Sequence, residues 1–289
     1  MADVTKEDSS EFLVRHEKLD LRIYLSSSNL LLPHEETIPS RVSELEVSFR
    51  RDGVVRDPII VDASSRVVLD GMHRLAALRQ LRCFCVPVCA VDYLNPSIRV
   101  GVWYRTLSGR LSSDQFENAL SSSDVEFERV PLDTTDIIGS PQPAVLFASG
   151  ESLRFRSRGL QVYHVLKTME RCARVYDLTV AYETEHDALE KLMNKKVDAV
   201  ITLPKIDKTS VREAGLAGRL LPHKVTRHII PARPLRVNVL LMTLTDGTMP
   251  LQETNRQLFA SLRTRGITRR PSGTVIEGRR YDEEIFVFN

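Results

Sequence analysis

The residues best suited to chemistry lie in one short segment, Val67-Val-Leu-Asp-Gly-Met-His-Arg74. Its β-branched start is typical of a strand, Asp70 and Gly71 favour a turn, and a helix begins directly afterwards. Such a helix start presents free backbone N–H groups and the positive end of a dipole, which suit a phosphate. The candidate phosphate ligands are Gly71, Met72, His73 and Arg74. The alternative is a plain strand–turn–helix corner in which Asp70 caps the helix and His73 faces water.

A second segment, Leu32-Pro-His-Glu-Glu36, stands just before the first long predicted helix. A carboxylate at such a junction could act as a general base or bind magnesium. It could equally be an acid that interacts favourably with the helix dipole. The residues alone leave both interpretations open.

A third segment, residues 219–236, contains no acidic residue and therefore suits an anion. Within it Thr226, Arg227 and His228 are consecutive, so in an extended chain the first and third face one way and Arg227 faces the other. They could hold a carboxylate and a phosphate, or they could form a solvated basic loop. Trp103, the only tryptophan, is either a core residue or a pocket wall.

The elements that must position these residues follow from apolar periodicity and from turn residues. Up to residue 107 we expect strands at 19–25, 58–62, 66–69, 83–92 and 100–104 and helices at 39–51 and 73–81. Further on we expect strands at 144–148, 153–156 and 197–203 and helices at 159–172, 185–195, 209–218 and around 251–262. Strands and helices are mixed without a regular alternation, so the expected fold class is α+β. The expected domains are 18–107 and 127–289, joined by a serine-rich linker at 108–126.

Composition limits the functional classes. Of the 289 residues 42% are hydrophobic and 27% charged, and the net charge of +2 gives no general reason to expect nucleic acid as a partner. Apolar runs are too short to cross a bilayer, so no membrane is expected. The start of the chain is acidic and polar, unlike a signal or transit peptide, and residues 1–17 are expected to be a disordered lead.

Four cysteines suit a reducing compartment, and we expect a cytoplasmic protein. Cys83, Cys85 and Cys89 fall in one apolar run, without the paired spacing of a zinc site. They are best interpreted as small hydrophobic residues of a strand, with Cys172 far away in the sequence.

Taken together and in this order, the segments resemble the free L-serine kinases of the ParB/sulfiredoxin-like superfamily. The shared pattern is a Pro-His-Glu loop, an Asp-Gly-x-His-Arg corner, an aromatic pair and a late Thr-Arg-His stretch. It stands here as Pro33-His34-Glu35, Asp70–Arg74, Trp103-Tyr104 and Thr226–His228. The match runs over most of residues 18–240, and the tail beyond about 245 looks more like the bacterial siderophore-precursor branch than the archaeal ADP-dependent one.

The resemblance implies a fold and a reaction. An N-terminal ParB/sulfiredoxin-like nucleotide-binding domain would be followed by a smaller mixed α/β substrate domain, with the active site in the cleft between them. The implied reaction moves a phosphoryl group from ATP or ADP to the hydroxyl of free L-serine and gives O-phospho-L-serine, a precursor of cysteine or of siderophores. The implied partners are thus a nucleotide, L-serine and Mg²⁺, and the oligomeric state stays open.

Residue by residue, Glu35 resembles the catalytic base and Asp70 an essential acid beside the phosphates, where it could bind Mg²⁺. His73 and Arg74 resemble a clamp on the donor phosphates. The implied substrate-binding residues are His34, Trp103, Thr226, Arg227 and His228. Met72 departs from the archaeal branch, which tends to have histidine there, so the choice between ATP and ADP stays open.

The same superfamily includes two other functions. A sulfiredoxin needs a cysteine nucleophile where this chain has Met72, and a thioether cannot attack phosphorus. A ParB-like, nucleotide-dependent DNA-binding or regulatory protein is the more serious alternative, because residues 219–236 could contact phosphates of nucleic acid. Such proteins carry an acidic residue in the corner, which Gly71-Met-His-Arg74 lacks, and residues 105–140 show no clear recognition helix.

Overall fold

The computed structural model of the protein describes residues 11–109, 112–120, 125–133, 140, 142–156 and 161–289. Strands and helices are labelled here in chain order. The first strands are β1 (Phe12–Arg15), β2 (Asp20–Ser27), β3 (Val54–Val55), β4 (Ile59–Asp62), β5 (Val68–Asp70), β6 (Cys85–Val91), β7 (Arg99–Val102) and β8 (Tyr104–Ser108). The later strands are β9 (Phe127–Pro131), β10 (Ala144–Phe147), β11 (Glu151–Phe155), β12 (Thr179–Glu183), β13 (Ala199–Thr202), β14 (Thr226–Ile229), β15 (Ala232–Leu235), β16 (Val239–Leu240), β17 (Ile267–Arg270), β18 (Val275–Ile276), β19 (Arg279–Arg280) and β20 (Glu284–Phe288).

A 3-10 turn at Ser28–Leu30 precedes the α-helices. The helices are α1 (Pro39–Asp52), α2 (Met72–Gln80), α3 (Ser113–Leu120), α4 (Gln161–Val175), α5 (Glu185–Met193), α6 (Lys208–Leu216), α7 (Leu241–Thr245) and α8 (Leu251–Arg263). None of the helices in the described ranges combines the length and the apolar character needed to cross a bilayer.

The chain folds into two compact units. The first comprises the described residues up to Arg99 together with Lys208–His223 and His228–Asn289. Its main sheet has the order β1-β2-β6-β4-β5, in which β4 and β6 run parallel and the other neighbours antiparallel. Because β6 is buried along its whole length, it forms the centre of this core. A smaller sheet, β15-β20-β17, belongs to the same unit.

Residues within and next to helix α1 determine where it begins and ends. Pro39 stands in its first turn, where a missing N–H costs nothing. Val42 and Phe49 point into the core at helical spacing. Gly53 ends the helix in the left-handed region, with φ of 65°, and donates its N–H to the carbonyl of Phe49 at 3.0 Å. The helix expected over 39–51 is present and ends at Asp52, just before this glycine.

The second unit comprises the described residues of Val100–Asp207 together with Lys224–Arg227. Its sheet has the order β12-β8-β13-β10-β11-β9, and these ladders are antiparallel. Strands β10 and β13 are buried throughout, so the core of this unit lies along them.

These units differ from the domains expected at 18–107 and 127–289. Strand β16 pairs with β3, and Asn255 of α8 bonds to Leu25 of β2, so the C-terminal part of the chain joins the N-terminal unit. Pairings between segments so far apart in sequence leave no mark on local periodicity. The range 108–126, expected as a linker, contains helix α3.

The expected disordered lead, residues 1–17, needs a correction. Residues 1–10 lie outside the described residues. Phe12–Arg15 forms the edge strand β1, with Phe12 opposite Ile23 of β2. The cause is a short alternation, because Phe12 and Val14 are buried while Leu13 and Arg15 lie on the other face.

The cysteines behave as small hydrophobic residues. Cys85 and Cys89 lie in β6, Cys83 stands just before it, and Cys172 lies in α4; each is a buried free thiol. Burial raises the pKa of Cys83 and of Cys85 to about 11, so both stay protonated at neutral pH.

Asn255 gives the fold a testable contact. Its amide accepts the N–H of Leu25 at 2.7 Å and donates to the carbonyl of the same residue at 3.0 Å. The pairing of β2 with β1 ends at Ile23, so Asn255 supplies the hydrogen bonds of Leu25 on that edge of β2. We expect Asn255→Ala to destabilise the protein by about 1–3 kcal/mol, because both buried backbone groups lose their partner. Arg256→Ala, at the exposed neighbouring position, should stay within about 0.5 kcal/mol of the parent. Urea unfolding of the two variants checks this, and equal stabilities would contradict the assigned role.

Candidate active site

The corner after β5 is formed by one glycine. Gly71 has φ of 103°, which L side chains rarely adopt, and α2 begins directly behind it. A Cβ atom at this position would also lie 3.0 Å from Nη2 of Arg74. The chain can therefore pass from strand to helix in one residue, and the first N–H groups of α2 face the turn.

Asp70, the last residue of β5, is held by two guanidinium groups. Its Oδ2 accepts from Nη1 of Arg233 at 2.6 Å and from Nη2 of Arg74 at 3.1 Å. Burial alone would raise the pKa of Asp70, but Arg233 and Arg74 outweigh it and hold this pKa well below its ordinary value. Asp70 is therefore a carboxylate at any pH near neutrality.

Arg233 is a site residue that sequence reasoning missed. It lies in β15 and is buried, and besides Asp70 it donates Nε to Glu283. Burial would lower the pKa of Arg233, but the two carboxylates raise it above its ordinary value. The run without acidic residues at 219–236 includes this position, but nothing in the sequence singles out Arg233 from the other basic residues there.

The two expected phosphate donors already have protein partners. Arg74 donates Nη1 to the carbonyl of Asp57 at 3.0 Å, in addition to its bond with Asp70. Nε2 of His73 accepts the backbone N–H of Ile38 at 3.0 Å, so in the neutral ring the proton sits on Nδ1. His73 thereby joins the start of α2 to the residue that precedes α1. Their role as a phosphate clamp stays a prediction.

Glu35 lies in a segment that forms backbone bridges to two other parts of the chain. Leu32 forms a parallel bridge with Val67, and Glu35 forms one with Leu221. The flanking bonds run from the N–H of Glu36 to the carbonyl of Leu221 and from the N–H of Leu221 to the carbonyl of His34, each at 2.8 Å. Glu35 is only 6% exposed, so a buried carboxylate is fixed in place by its own backbone.

Two histidines lie beside this carboxylate in the first unit. His34 is fully buried, donates Nδ1–H to the carbonyl of Val68 at 2.7 Å, and places Nε2 3.9 Å from Oε1 of Glu35. Its ring meets that of His228 edge-on, with centroids 5.4 Å apart. The hydroxyl of Tyr93 lies 2.8 Å from Nε2 of His228, while the Leu69 carbonyl accepts from the same ring.

Both rings are neutral in the folded protein. Burial lowers the pKa of His34, although Glu35 acts in the opposite direction. Burial, with a smaller contribution from His34, lowers the pKa of His228 to about 3. Neither ring therefore adds a positive charge beside Glu35.

Trp103 belongs to the second unit, where two cationic side chains lie over its ring. Nζ of Lys224 lies 4.7 Å from its ring centroid and Cζ of Arg227 lies 5.4 Å from it. Arg105, fully buried, donates Nη1 to the carbonyls of Trp103 and Lys224 at 2.9 and 3.0 Å and fixes both segments. Sequence reasoning found Trp103 and Arg227 but missed Lys224 and Arg105.

The structure thus brings most of the predicted residues into two groups. In the first unit, His34 and His228 bond to carbonyls of β5, the strand that ends at Asp70, and Glu35 lies beside His34. In the second unit, Trp103 and Arg227 stack, and Thr226 is buried.

Several known proteins are similar to this chain in sequence. No protein-family model matches the chain. An ATP-dependent L-serine kinase from Staphylothermus marinus is 28% identical over 215 residues, which cover 72% of this chain and 85% of the relative. An ADP-dependent L-serine kinase from Thermococcus kodakarensis is 22% identical over 227 residues, 73% of this chain and 88% of the relative. A ParB-like protein from Sulfolobus acidocaldarius is 27% identical over 203 residues, 70% and 88% of the two chains.

Solved structures agree in fold. A free serine kinase in complex with AMP, a variant in which a glutamate is replaced by alanine, matches with a TM-score of 0.69 at 21% identity, over 84% of this chain and 98% of that one. The chain is similar to free L-serine kinases in sequence and in fold. The resemblance read from the motifs is therefore confirmed, and so is the α+β class.

The neutral state of His228 can be tested by NMR. We expect its imidazole signals to stay unchanged from pH 8 to about pH 5, because its pKa lies near 3 rather than near 6.5. The unfolded chain takes up this proton near pH 6.5 and the folded chain does not, so His228 makes stability fall as the pH drops from about 6.5 towards 3. His228→Gln assigns the signal and should flatten that pH dependence. Titration of His228 near pH 6.5 in the folded protein would contradict the assignment.

Proposed function

We propose that this chain is a kinase that phosphorylates the hydroxyl of free L-serine with ATP or ADP as donor. The observation that carries the proposal is the similarity to an L-serine kinase over 72% of this chain and 85% of the relative. In the reaction a new bond forms between the serine hydroxyl oxygen and the terminal phosphorus, the bond from that phosphorus to the nucleotide breaks, and the hydroxyl proton leaves to a base. Such a transfer depends on positioning and on charge neutralisation.

Glu35 is the proposed base. Its side chain is buried, and backbone bridges hold its segment in place. A general base needs such a fixed position, because it must stay within hydrogen-bond reach of the proton that it abstracts. Neutral His34 beside it adds no positive charge that would oppose protonation of Glu35. A glutamate was also the residue replaced in the solved serine kinase variants, one in complex with AMP and one with ADP. We place Glu35 in the corresponding role.

The start of α2 is the proposed site for the donor phosphates. Gly71 lets the chain turn tightly, and the N–H groups of the first turn, including that of Met72, supply donors together with the helix dipole. His73 can add its Nδ1–H, since Nε2 is the acceptor for Ile38. Arg74 would act through the guanidinium N–H groups that do not reach Asp57 or Asp70.

Asp70 suits a magnesium ion that arrives with the nucleotide. Both guanidinium groups contact Oδ2, so Oδ1 is the oxygen suited to a cation. Mg²⁺ commonly uses one or two carboxylates and completes its shell with water and phosphate oxygens, which fits a single aspartate here. When bound, the ion would neutralise charge on the phosphates. Arg233 and Arg74 keep Asp70 ionised and therefore fit to bind it.

The proposed amino-acid site takes its residues from the predicted set. His34 and His228 are neutral hydrogen-bonding groups beside Glu35, whereas Arg227 offers a positive charge for a carboxylate or a phosphate. Trp103 would serve as a rigid wall, and the hydroxyl of Thr226 as a further hydrogen-bonding group. The two L-serine kinases compared above differ in donor, ATP for one and ADP for the other, so both nucleotides are candidates. We place the enzyme in the cytoplasm, in keeping with its buried free thiols.

The proposed base is tested by a conservative change. We expect Glu35→Gln to lower serine-dependent nucleotide turnover about a hundredfold or more, because amide nitrogen and oxygen cannot take the hydroxyl proton. Nucleotide affinity, measured by calorimetry, should stay within about twofold of the parent. Glu36→Gln is the matched control at the adjacent position and should keep turnover near the parent value.

Two outcomes would contradict this proposal. Near-normal turnover in Glu35→Gln would remove Glu35 from the base role. A parent protein without serine-dependent turnover that binds random duplex DNA, with affinity falling steeply as salt rises, would favour a ParB-like function, a name that one relative carries.

A further inference from the structure

His16 is a buried side chain with an unsatisfied nitrogen. It stands in the short connection between β1 and β2, and its side chain is 1% exposed. Nε2 is buried and makes no hydrogen bond to any described residue. Oε1 of Glu284 lies 3.7 Å away, which is too far for a hydrogen bond. A buried polar atom of this kind costs free energy unless a ligand or an ion satisfies it.

The residues around Nε2 of His16 lie on one face of the sheet formed by β15, β20 and β17. Glu284 and Phe286 are two residues apart in β20 and so share a face. The His16 ring meets that of Phe286 edge-on, with centroids 6.1 Å apart at 90°, which fixes the plane of the imidazole. Arg269 of β17 lies opposite Phe286 and donates Nε to Oε2 of Glu284 at 2.5 Å. That bond turns Oε1 towards His16.

Glu17 completes a set of three donors. One ligand atom each from His16, Glu17 and Glu284 lies within 4.8 Å of the others, and Glu17 is exposed to solvent. Ligands at about 2.1 Å from a tetrahedral ion stand roughly 3.4 Å apart, close to the 3.7 Å between Nε2 and Oε1. The exposed side leaves room for a water molecule in the fourth position.

We propose that His16, Glu17 and Glu284 form a binding site for a divalent transition-metal cation of the zinc class. One imidazole nitrogen and two carboxylates suit Zn²⁺, whereas Mg²⁺ and Ca²⁺ prefer oxygen ligands alone. Arg269 is the partner that orients the Glu284 carboxylate. None of the three ligands belongs to the proposed kinase site. The site would join the β1–β2 connection to the start of β20, so the bound ion would stabilise the first unit.

Binding requires a defined change in the His16 ring. Nδ1 accepts the N–H of Lys18 at 3.2 Å, so in the metal-free neutral ring the proton sits on Nε2. A metal on Nε2 moves this proton to Nδ1, and the long bond from Lys18 is lost. The proton stays on the ring, and the event leaves a signature in the nitrogen chemical shifts of His16.

The test is a titration of the tag-free full chain with ZnCl₂, followed by calorimetry and by ¹H–¹⁵N correlation of the histidine rings. We expect one site, a rise in melting temperature, and an exchange of the protonated and bare nitrogens in His16. Glu17→Gln, an exposed change that should leave the fold intact, and His16→Gln should each weaken binding at least tenfold. Millimolar Mg²⁺ should not compete.

The chain offers a matched control. His186, Asp187 and Glu190 form a second group of similar ligand types, but all three are exposed. We expect His186→Ala to leave the affinity unchanged. Absence of saturable binding, binding that survives His16→Gln and Glu17→Gln, or binding that His186→Ala removes would overturn the proposal. Serine kinase activity does not enter this test, so its outcome is independent of the proposed function.

Discussion

The arrangement of the candidate site depends on one ion pair, between Asp70 and the buried guanidinium of Arg233. A buried guanidinium is stable only if its charge is compensated, and Arg233 has carboxylates on two sides, Asp70 and Glu283. The first ends β5 and the second stands just before β20, while Arg233 itself is in β15. One side chain therefore joins the strand–turn–helix corner to the C-terminal strands. This pairing is also a reason why the end of the chain belongs to the N-terminal unit.

The same pair influences how the phosphate site can work. Asp70 and Glu283 supply two negative charges, Arg233 and Arg74 supply two positive charges that pair with them, and Arg279 is a third cation that acts on Asp70. Most of the charge at the corner is thus paired before a ligand arrives, and the attraction for phosphate rests on the N–H groups of α2, on Arg279 and on a cation that comes with the nucleotide. Neutral His34 and His228 add no positive charge beside Glu35.

The sequence predicted local features well and long-range partners poorly. The corner at Asp70 and Gly71, helix α1 with Gly53 behind it, and the strands expected at 19–25, 58–62, 66–69 and 83–92 depend on neighbouring residues, and the structure has them within a few positions. The Phe12–Arg15 strand was missed because its alternation spans only four residues. Arg233, Arg105 and Lys224 were missed for a different reason. Each acts through a carbonyl or a carboxylate far away in the chain, and one basic residue among many gives no local signal.

Some site residues have a geometry that no spacing rule could supply. His73 was expected as a donor to phosphate, and its Nε2 accepts the N–H of Ile38. Arg74 was expected to hold phosphate with its guanidinium, and that group also bonds to Asp57 and Asp70. His34 and His228 were expected as substrate ligands, and in the structure burial lowers the pKa of each ring, so both stay neutral. The residue types were predicted from the motifs, whereas their protonation and partners required the structure.

The central claim, that this chain phosphorylates free L-serine, is tested most directly by ³¹P NMR of the purified protein with Mg²⁺, L-serine and either ATP or ADP. We expect a phosphomonoester signal that matches O-phospho-L-serine, grows at the expense of the terminal phosphate of one donor, and is absent without serine. Nucleotide that stays intact with both donors, or that is hydrolysed to inorganic phosphate at the same rate with and without serine, would contradict it.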